Sequence, residues 1–133
     1  MSKPSRHQER IWALQILYSL DLKNKFNQKE AEVESNNIKM RNNLVDNDYY
    51  YIKLVKGIID SKEELDEYIN EKAIDWSIKR MAVVDRNILR LALYEIQYDL
   101  VPIGVAIDEA VELAKEYGDE QSPGFINGIL SRA

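Results

Sequence analysis

The stretch from Val101 to Leu130, VPIGVAIDEAVELAKEYGDEQSPGFINGIL, punctuates itself and so leaves little choice of fold. Pro102 opens a helix in its first turn, where a missing N–H costs nothing. Val105, Ala106, Ala110, Val111, Leu113 and Ala114 then form a small-residue face at helical spacing. Gly118 is placed to end that helix as a left-handed C-terminal residue. Ser122-Pro123 gives a cap followed by proline at the first helical position, and Phe125, Ile126, Ile129 and Leu130 line the next helix. Just upstream, RNILRLALYEI (86–96) presents Ile88, Leu89, Leu91, Ala92, Leu93 and Ile96, with Asp85 as its expected cap. A helix apolar nearly all round is a central one. These segments require a packed all-α fold.

The rest of the chain agrees. Five Gly and three Pro in 133 residues favour long helices over many short strands. Ser5-Arg6-His7-Gln8 fits an S-x-x-Q capping box, so a first helix begins at Ser5. Ile11, Leu14 and Tyr18 mark its apolar stripe, widened by Ala13, Leu17 and Leu20. KNKFNQKE predicts a loop, Gln28 to about Asn36 a weak helix, and SNNIKMRNN an exposed connection. A longer helix is expected from Asp48 to Ile69, with Ile52, Val55, Ile58, Ile59, Leu65 and Ile69 inward. Its Tyr49-Tyr50-Tyr51 cluster predicts two core tyrosines and one on the surface. A short turn should lie around Ile74 and Trp76. The expectation is one domain, residues 1–133, of about seven helices.

There is no cysteine, hence no disulfide or thiolate chemistry. No apolar run approaches the roughly 20 residues of a membrane span, and MSKPSRHQER is not followed by the apolar stretch of a signal peptide. A cytoplasmic protein is expected. The net charge of −5 is unevenly spread. Residues 1–25 hold five Lys and Arg against two acids, and residues 26–133 hold thirteen against twenty-one. A basic arm on an acidic body steers a polyanion to one place, or is simply a solvated helix end.

An enzyme is not expected. The lone histidine, His7, has no Cys or second His with which to share a metal. Glycines 57, 104, 118, 124 and 128 are too scattered for a phosphate-cradling loop; Gly124 and Gly128, four apart, suit close helix contact. Asp108, Glu109 and Glu112 form the solvated flank of an amphipathic helix. No cofactor and no metal is expected. What remains is a binding surface. Arg6, His7 and Arg10 suit phosphates, Gln8 and Gln15 add hydrogen-bonding groups, and Tyr18 lies near that face. Cations with an interleaved aromatic suit single-stranded RNA. Spacing leaves open whether Tyr18 stacks on a base or belongs to the core.

Three stretches resemble the NusB family of bacterial transcription antitermination factors. They are the basic start running into ALQILYSLDL, then RNILRLALYEI, then VPIGVAIDEAVELAKEYG followed by SPGFINGIL. They stand in the family's order and spacing, and the match spans nearly the whole chain. The resemblance implies an all-helical fold of two packed subdomains. It implies pairing with NusE, a ribosomal small-subunit protein, and binding of boxA, a single-stranded RNA element in ribosomal RNA leaders. With other Nus factors, the pair helps RNA polymerase resist termination. Several family members are homodimers, so monomer or homodimer stays open.

By the same resemblance, RNA contacts fall on Arg6, His7, Arg10, Gln15 and Tyr18. A second group falls on Gln121, Ser122 and Phe125, with Asn127 in support. The NusE face falls on the fourth and fifth helices, with Lys79, Arg80, Arg86 and Arg90 as candidates. Many family members carry a denser N-terminal arginine run. Here Ser5, His7, Gln8 and Glu9 interrupt it, which implies weaker RNA binding without NusE. Two other readings are a structural module that binds proteins through the fifth helix, and the NusB-like domain of an rRNA cytosine methyltransferase. The chain ends at Ala133 with no strand–glycine–helix cofactor motif following, so the methyltransferase reading is not the one expected.

Overall fold

The computed structural model describes residues 3–133. Among them are seven α-helices, one 3-10 turn and no strand. The chain divides into two compact units, Met1–Asp60 and Ser61–Ala133.

The first unit holds α1 (Arg6–Leu22), α2 (Gln28–Arg41) and α3 (Tyr50–Asp60). Ser5 caps α1 as the sequence requires: its Oγ accepts the Gln8 amide at 3.0 Å. The buried face of α1 differs from the expected stripe. Trp12, Ala13, Leu14, Ile16, Leu17 and Leu20 are buried, Ile11 is half-buried and Tyr18 is exposed. Helix α2 runs past the expected end near Asn36, because Ala31, Ser35 and Ile38 continue one inward face through SNNIKMR. Asn27 starts it by accepting the Glu30 amide at 2.9 Å.

The tyrosine cluster also differs from expectation. Only Tyr51 is fully buried, donating its hydroxyl to the Ser35 carbonyl at 3.0 Å, while Tyr49 and Tyr50 are half-buried. Burial, with Glu9 and Tyr49 adding to it, pushes the Tyr51 hydroxyl up to about 12.

The second unit holds α4 (Lys62–Lys72), a 3-10 turn (Ile78–Arg80), α5 (Val83–Gln97), α6 (Ile103–Tyr117) and α7 (Ser122–Leu130). The single helix expected from Asp48 to Ile69 is therefore two. It breaks at Ser61, whose hydroxyl hydrogen-bonds the Tyr98 hydroxyl at 3.3 Å. Periodicity passed through the break because Leu65 and Ile69 keep the spacing, so one serine leaves no gap in the apolar pattern. Helix α5 is the central element, with nine of its residues buried, including Asp85, Asn87, Arg90 and Glu95. Asp85 is not its cap. That position is Ala82, and Asp85 sits in the first turn. Val105, expected inward on α6, is exposed.

Three helices end in a left-handed residue that is not glycine. Asn24, Asn43 and Asp99 take φ of 55°, 55° and 51° just past α1, α2 and α5. In each case the next amide reaches back to a carbonyl five residues earlier: Lys25 to Leu20, Leu44 to Lys39 and Leu100 to Glu95. This is the Schellman arrangement with Asn or Asp in the left-handed position. Gly118 does not do this. Its φ is −91° with an extended ψ.

What requires glycine at 118 is close approach. A Cβ there would lie 2.5 Å from the Ser122 Cβ and Oγ and 2.8 Å from the Ala114 carbonyl oxygen. Gly124 and Gly128 do not mediate helix contact as expected, since a Cβ at either would meet nothing within 4 Å. Gly118→Ala is expected to destabilise the fold by about 1–3 kcal/mol through overpacking, read as a lower urea midpoint with an unchanged slope.

Candidate nucleic-acid interface

The site residues expected from sequence fall in both units. In the first, Arg6 and Arg10 turn towards α3. The Arg6 guanidinium lies 3.9 Å from the centroid of the Tyr50 ring, and that of Arg10 lies 5.9 Å from it. Arg6 stays open to solvent while pairing with Glu9 at 3.8 Å. Arg10 does not: it is 3% exposed. The expectation of Arg10 as a surface cation for phosphate is thus corrected by burial, which places its charge inside the α1–α3 contact.

Glu9 beside it in sequence is buried too. Its Oε1 accepts the Tyr51 amide at 3.2 Å, one of the first-turn donors of α3 that have no partner within the helix. An acid at a helix N-terminus also meets the favourable end of the dipole. The acidic interruption of the basic arm is therefore part of the packing of α3.

Gln15 and Tyr18 lie on the other side of α1. Both are exposed, Tyr18 at 37%, so its ring lies outside the core. His7 is half-buried. At 100° per residue, His7, Gln15 and Tyr18 fall within one sector of the helix, along with Ile11 and Leu22. This face offers an aromatic ring and an amide, while Arg6 lies off it, towards α3.

In the second unit, Gln121 and Asn127 are exposed, Phe125 is half-buried and Ser122 is buried. Ser122 is not the N-cap. The cap of the turn is Asp119, whose Oδ1 accepts the amides of Gln121 at 2.8 Å and Ser122 at 3.1 Å. In return the Ser122 Oγ accepts the Asp119 amide at 3.0 Å. This is a capping box with serine in the returning position. Its signal was present as Asp119-x-x-Ser122, but the adjacent proline drew the cap to the serine.

Asp85 on α5 lines a cavity of about 200 Å³ with Trp76, Arg80, Asp119, Gln121, Ser122 and Phe125. Its Oδ1 is buried with no hydrogen-bond partner. Burial pushes its carboxyl above the ordinary value, a hydrogen bond from Ser122 works against this, and the Asp119 charge adds to it.

The four cations expected on a protein-binding face separate. Lys79 and Arg80 are exposed. Arg86 is half-buried and reaches the Ile78 carbonyl at 3.5 Å. Arg90 is buried, with Asp66 accepting from Nε at 2.7 Å and from Nη2 at 3.0 Å. Arg90 thus serves the core and not a partner face. No cluster of three or more His, Cys, Asp or Glu side chains able to hold a metal occurs among the described residues. No helix among them is long and apolar enough to cross a membrane.

The family model of the NusB family matches residues 7–133. The chain belongs to the NusB family. Transcription antitermination protein NusB of Halothermothrix orenii is 54% identical over 131 residues, covering 98% of this chain and 97% of that protein. The protein of the same name from Oceanobacillus iheyensis is 41% identical, covering 96% and 97%. Among solved structures, T. maritima NusB superposes with a TM-score of 0.80 at 32% identity, covering 98% of this chain and 91% of that one. A structure of antitermination factors NusB and NusE in complex with dsRNA superposes at 0.79 and 30% identity, covering 96% and 93%.

Two outcomes follow from this geometry. Ser122→Ala is expected to cost about 1 kcal/mol through loss of one arm of the capping box, read in thermal unfolding. Asp85→Asn should raise the melting temperature at pH 7, because the raised folded pKa means that the ionised form of Asp85 opposes folding. The gap from the natural chain should narrow as pH falls through that raised value and vanish below the ordinary 3.8.

Proposed function

We propose that this chain is a transcription antitermination factor. Together with NusE it binds a boxA-type single-stranded RNA and, with other Nus factors, helps RNA polymerase read through terminators. The observation that carries this reading is the exposed face of α1. Gln15 and Tyr18 are open there, while Arg6, on the side of the helix that faces α3, stands over Tyr50 and stays open to solvent. NusB and NusE have been solved in complex with dsRNA on the same fold, which supports an RNA-binding role with NusE. Arg6 supplies a phosphate contact and Tyr18 a stacking surface for a splayed base. Arg10 acts from inside, holding Tyr50 and α3 against α1. Gln121, Phe125 and Asn127 contribute from the second unit, with Ser122 shaping the turn that carries Gln121. Lys79, Arg80 and Arg86 offer charge to NusE. The role is one of binding and assembly, and it runs in the cytoplasm.

The acidic balance of residues 26–133 disfavours phosphates away from α1. A basic partner extends the positive track, and the coupling is reciprocal. Titration of labelled single strand, and separately of its duplex, with and without NusE at fixed salt tests this. Tighter binding of the single strand with NusE is expected, and equal affinities in all four titrations would refute the cooperative reading. Arg6→Ala should weaken binding evenly across sequences and lower the salt slope by about one, as loss of one phosphate contact does.

A further inference from the structure

We propose that Trp76 and Phe125 form a second stacking site, on the Ser61–Ala133 unit, for a base of the single-stranded RNA. This rests on the RNA-binding reading above and adds to it a residue that no motif pointed to. The chain has two tryptophans. Trp12 is buried, packed edge-on against Tyr51 with ring centroids 5.4 Å apart. Trp76 follows α4 in the loop before the 3-10 turn and is 52% exposed. An indole left half in water offers a large flat face that nothing in the core uses.

Its surroundings say what would cover it. Two cavities, of about 200 and about 280 Å³, are each lined by both Trp76 and Phe125. The two rings therefore form a shared aromatic wall. Each cavity has an exposed cation at its edge, Arg80 in one and Arg132 in the other. Arg132 gives one Nη to the Lys72 carbonyl at 2.8 Å, which fixes its guanidinium. Beside the wall, α7 presents Gly124 and Gly128 with open space where Cβ atoms would be, so a flat group can lie close against the backbone.

In the smaller cavity the buried Asp85 Oδ1 lacks a donor. Base amino and imino groups are donors, and carboxylates accept from them. A phosphate brings only acceptors, and Asp75 and Asp119 line the same cavities. The chemistry therefore favours the base against the aromatic wall and leaves the sugar–phosphate to Arg132.

The test uses the full chain with NusE and a short single-stranded RNA carrying all four bases. Binding should quench or shift tryptophan emission. Trp76→Phe, which leaves only the buried Trp12 as reporter, should abolish that change while keeping most of the affinity, because phenylalanine still stacks. Trp76→Ala should weaken RNA binding by about tenfold with an unchanged salt slope, since stacking is lost and no phosphate contact is. Thermal melts check that both variants fold, as expected for an exposed side chain. RNA binding with unchanged emission and full affinity in Trp76→Ala overturns this inference and leaves the RNA-binding reading standing. Loss of NusE binding in Trp76→Ala with RNA affinity intact assigns the surface to the protein partner and also overturns it. No RNA binding by the natural chain overturns both.

Discussion

A guanidinium buried in an apolar interior must be paired, and in the second unit that requirement falls on Arg90. Asp66 takes two of its donors and Asn87 a third, at 2.9 Å. Removing one partner from such a pair leaves a stranded charge, so geometry here is enforced and not merely favourable. The pair ties α4 to α5 at one register. Asn87 in turn gives its amide to the Val83 carbonyl at 2.8 Å, locking the first turn of α5. With α5 fixed, α6 and α7 pack on its apolar sides. The turn between them, closed by Asp119 and Ser122, settles beside Asp85. The candidate surface at Trp76 and Phe125 depends on this chain of contacts.

The first unit applies the same principle with the sign reversed. Glu9 is a buried carboxylate, and it is satisfied by the Tyr51 amide at 3.2 Å and the Arg6 guanidinium at 3.8 Å. Supporting α3 and holding Arg6 are one arrangement. The arm is therefore defined less by its number of charges than by how they are held. Arg6 over Tyr50 has lost rotamer freedom before any ligand arrives, which lowers the entropic cost of using it.

Much of the fold was legible because periodicity and caps are local. The Ser5 cap, the central character of RNILRLALYEI and the Pro102 start each depend on residues within a turn or two. The departures have equally local causes. Ser61 interrupts a helix without interrupting its apolar spacing. Asn24, Asn43 and Asp99 stop helices in the left-handed position that glycine more often takes. Gly118 looked like a left-handed stop, but its reason lies four residues on, in the side chain of Ser122. At the candidate site, Arg6, Gln15 and Tyr18 were expected from residue type and resemblance, and all three are exposed. Arg10 and Arg90 were misplaced because a charged residue gives no sequence signal of its own burial. Trp76 was noted only as part of a turn, since a lone tryptophan in a loop is equally a core plug.

By itself, the sequence determined an all-helical chain, where most helices begin, and a family signature dense enough to name the partners to test. These follow from short-range physics: backbone hydrogen bonding within a turn, fixed φ at proline, and the period of apolar positions. Only the tertiary structure decided which charges face inward. Whether Arg10, Glu9, Asp85 and Arg90 meet water or a partner depends on residues tens of positions away, brought close by burying the apolar faces. A buried charge is tolerated only where that packing supplies its counterpart. For the same reason, tertiary structure alone showed that Asp85 keeps one oxygen unpaired and that Trp76 stays open beside it.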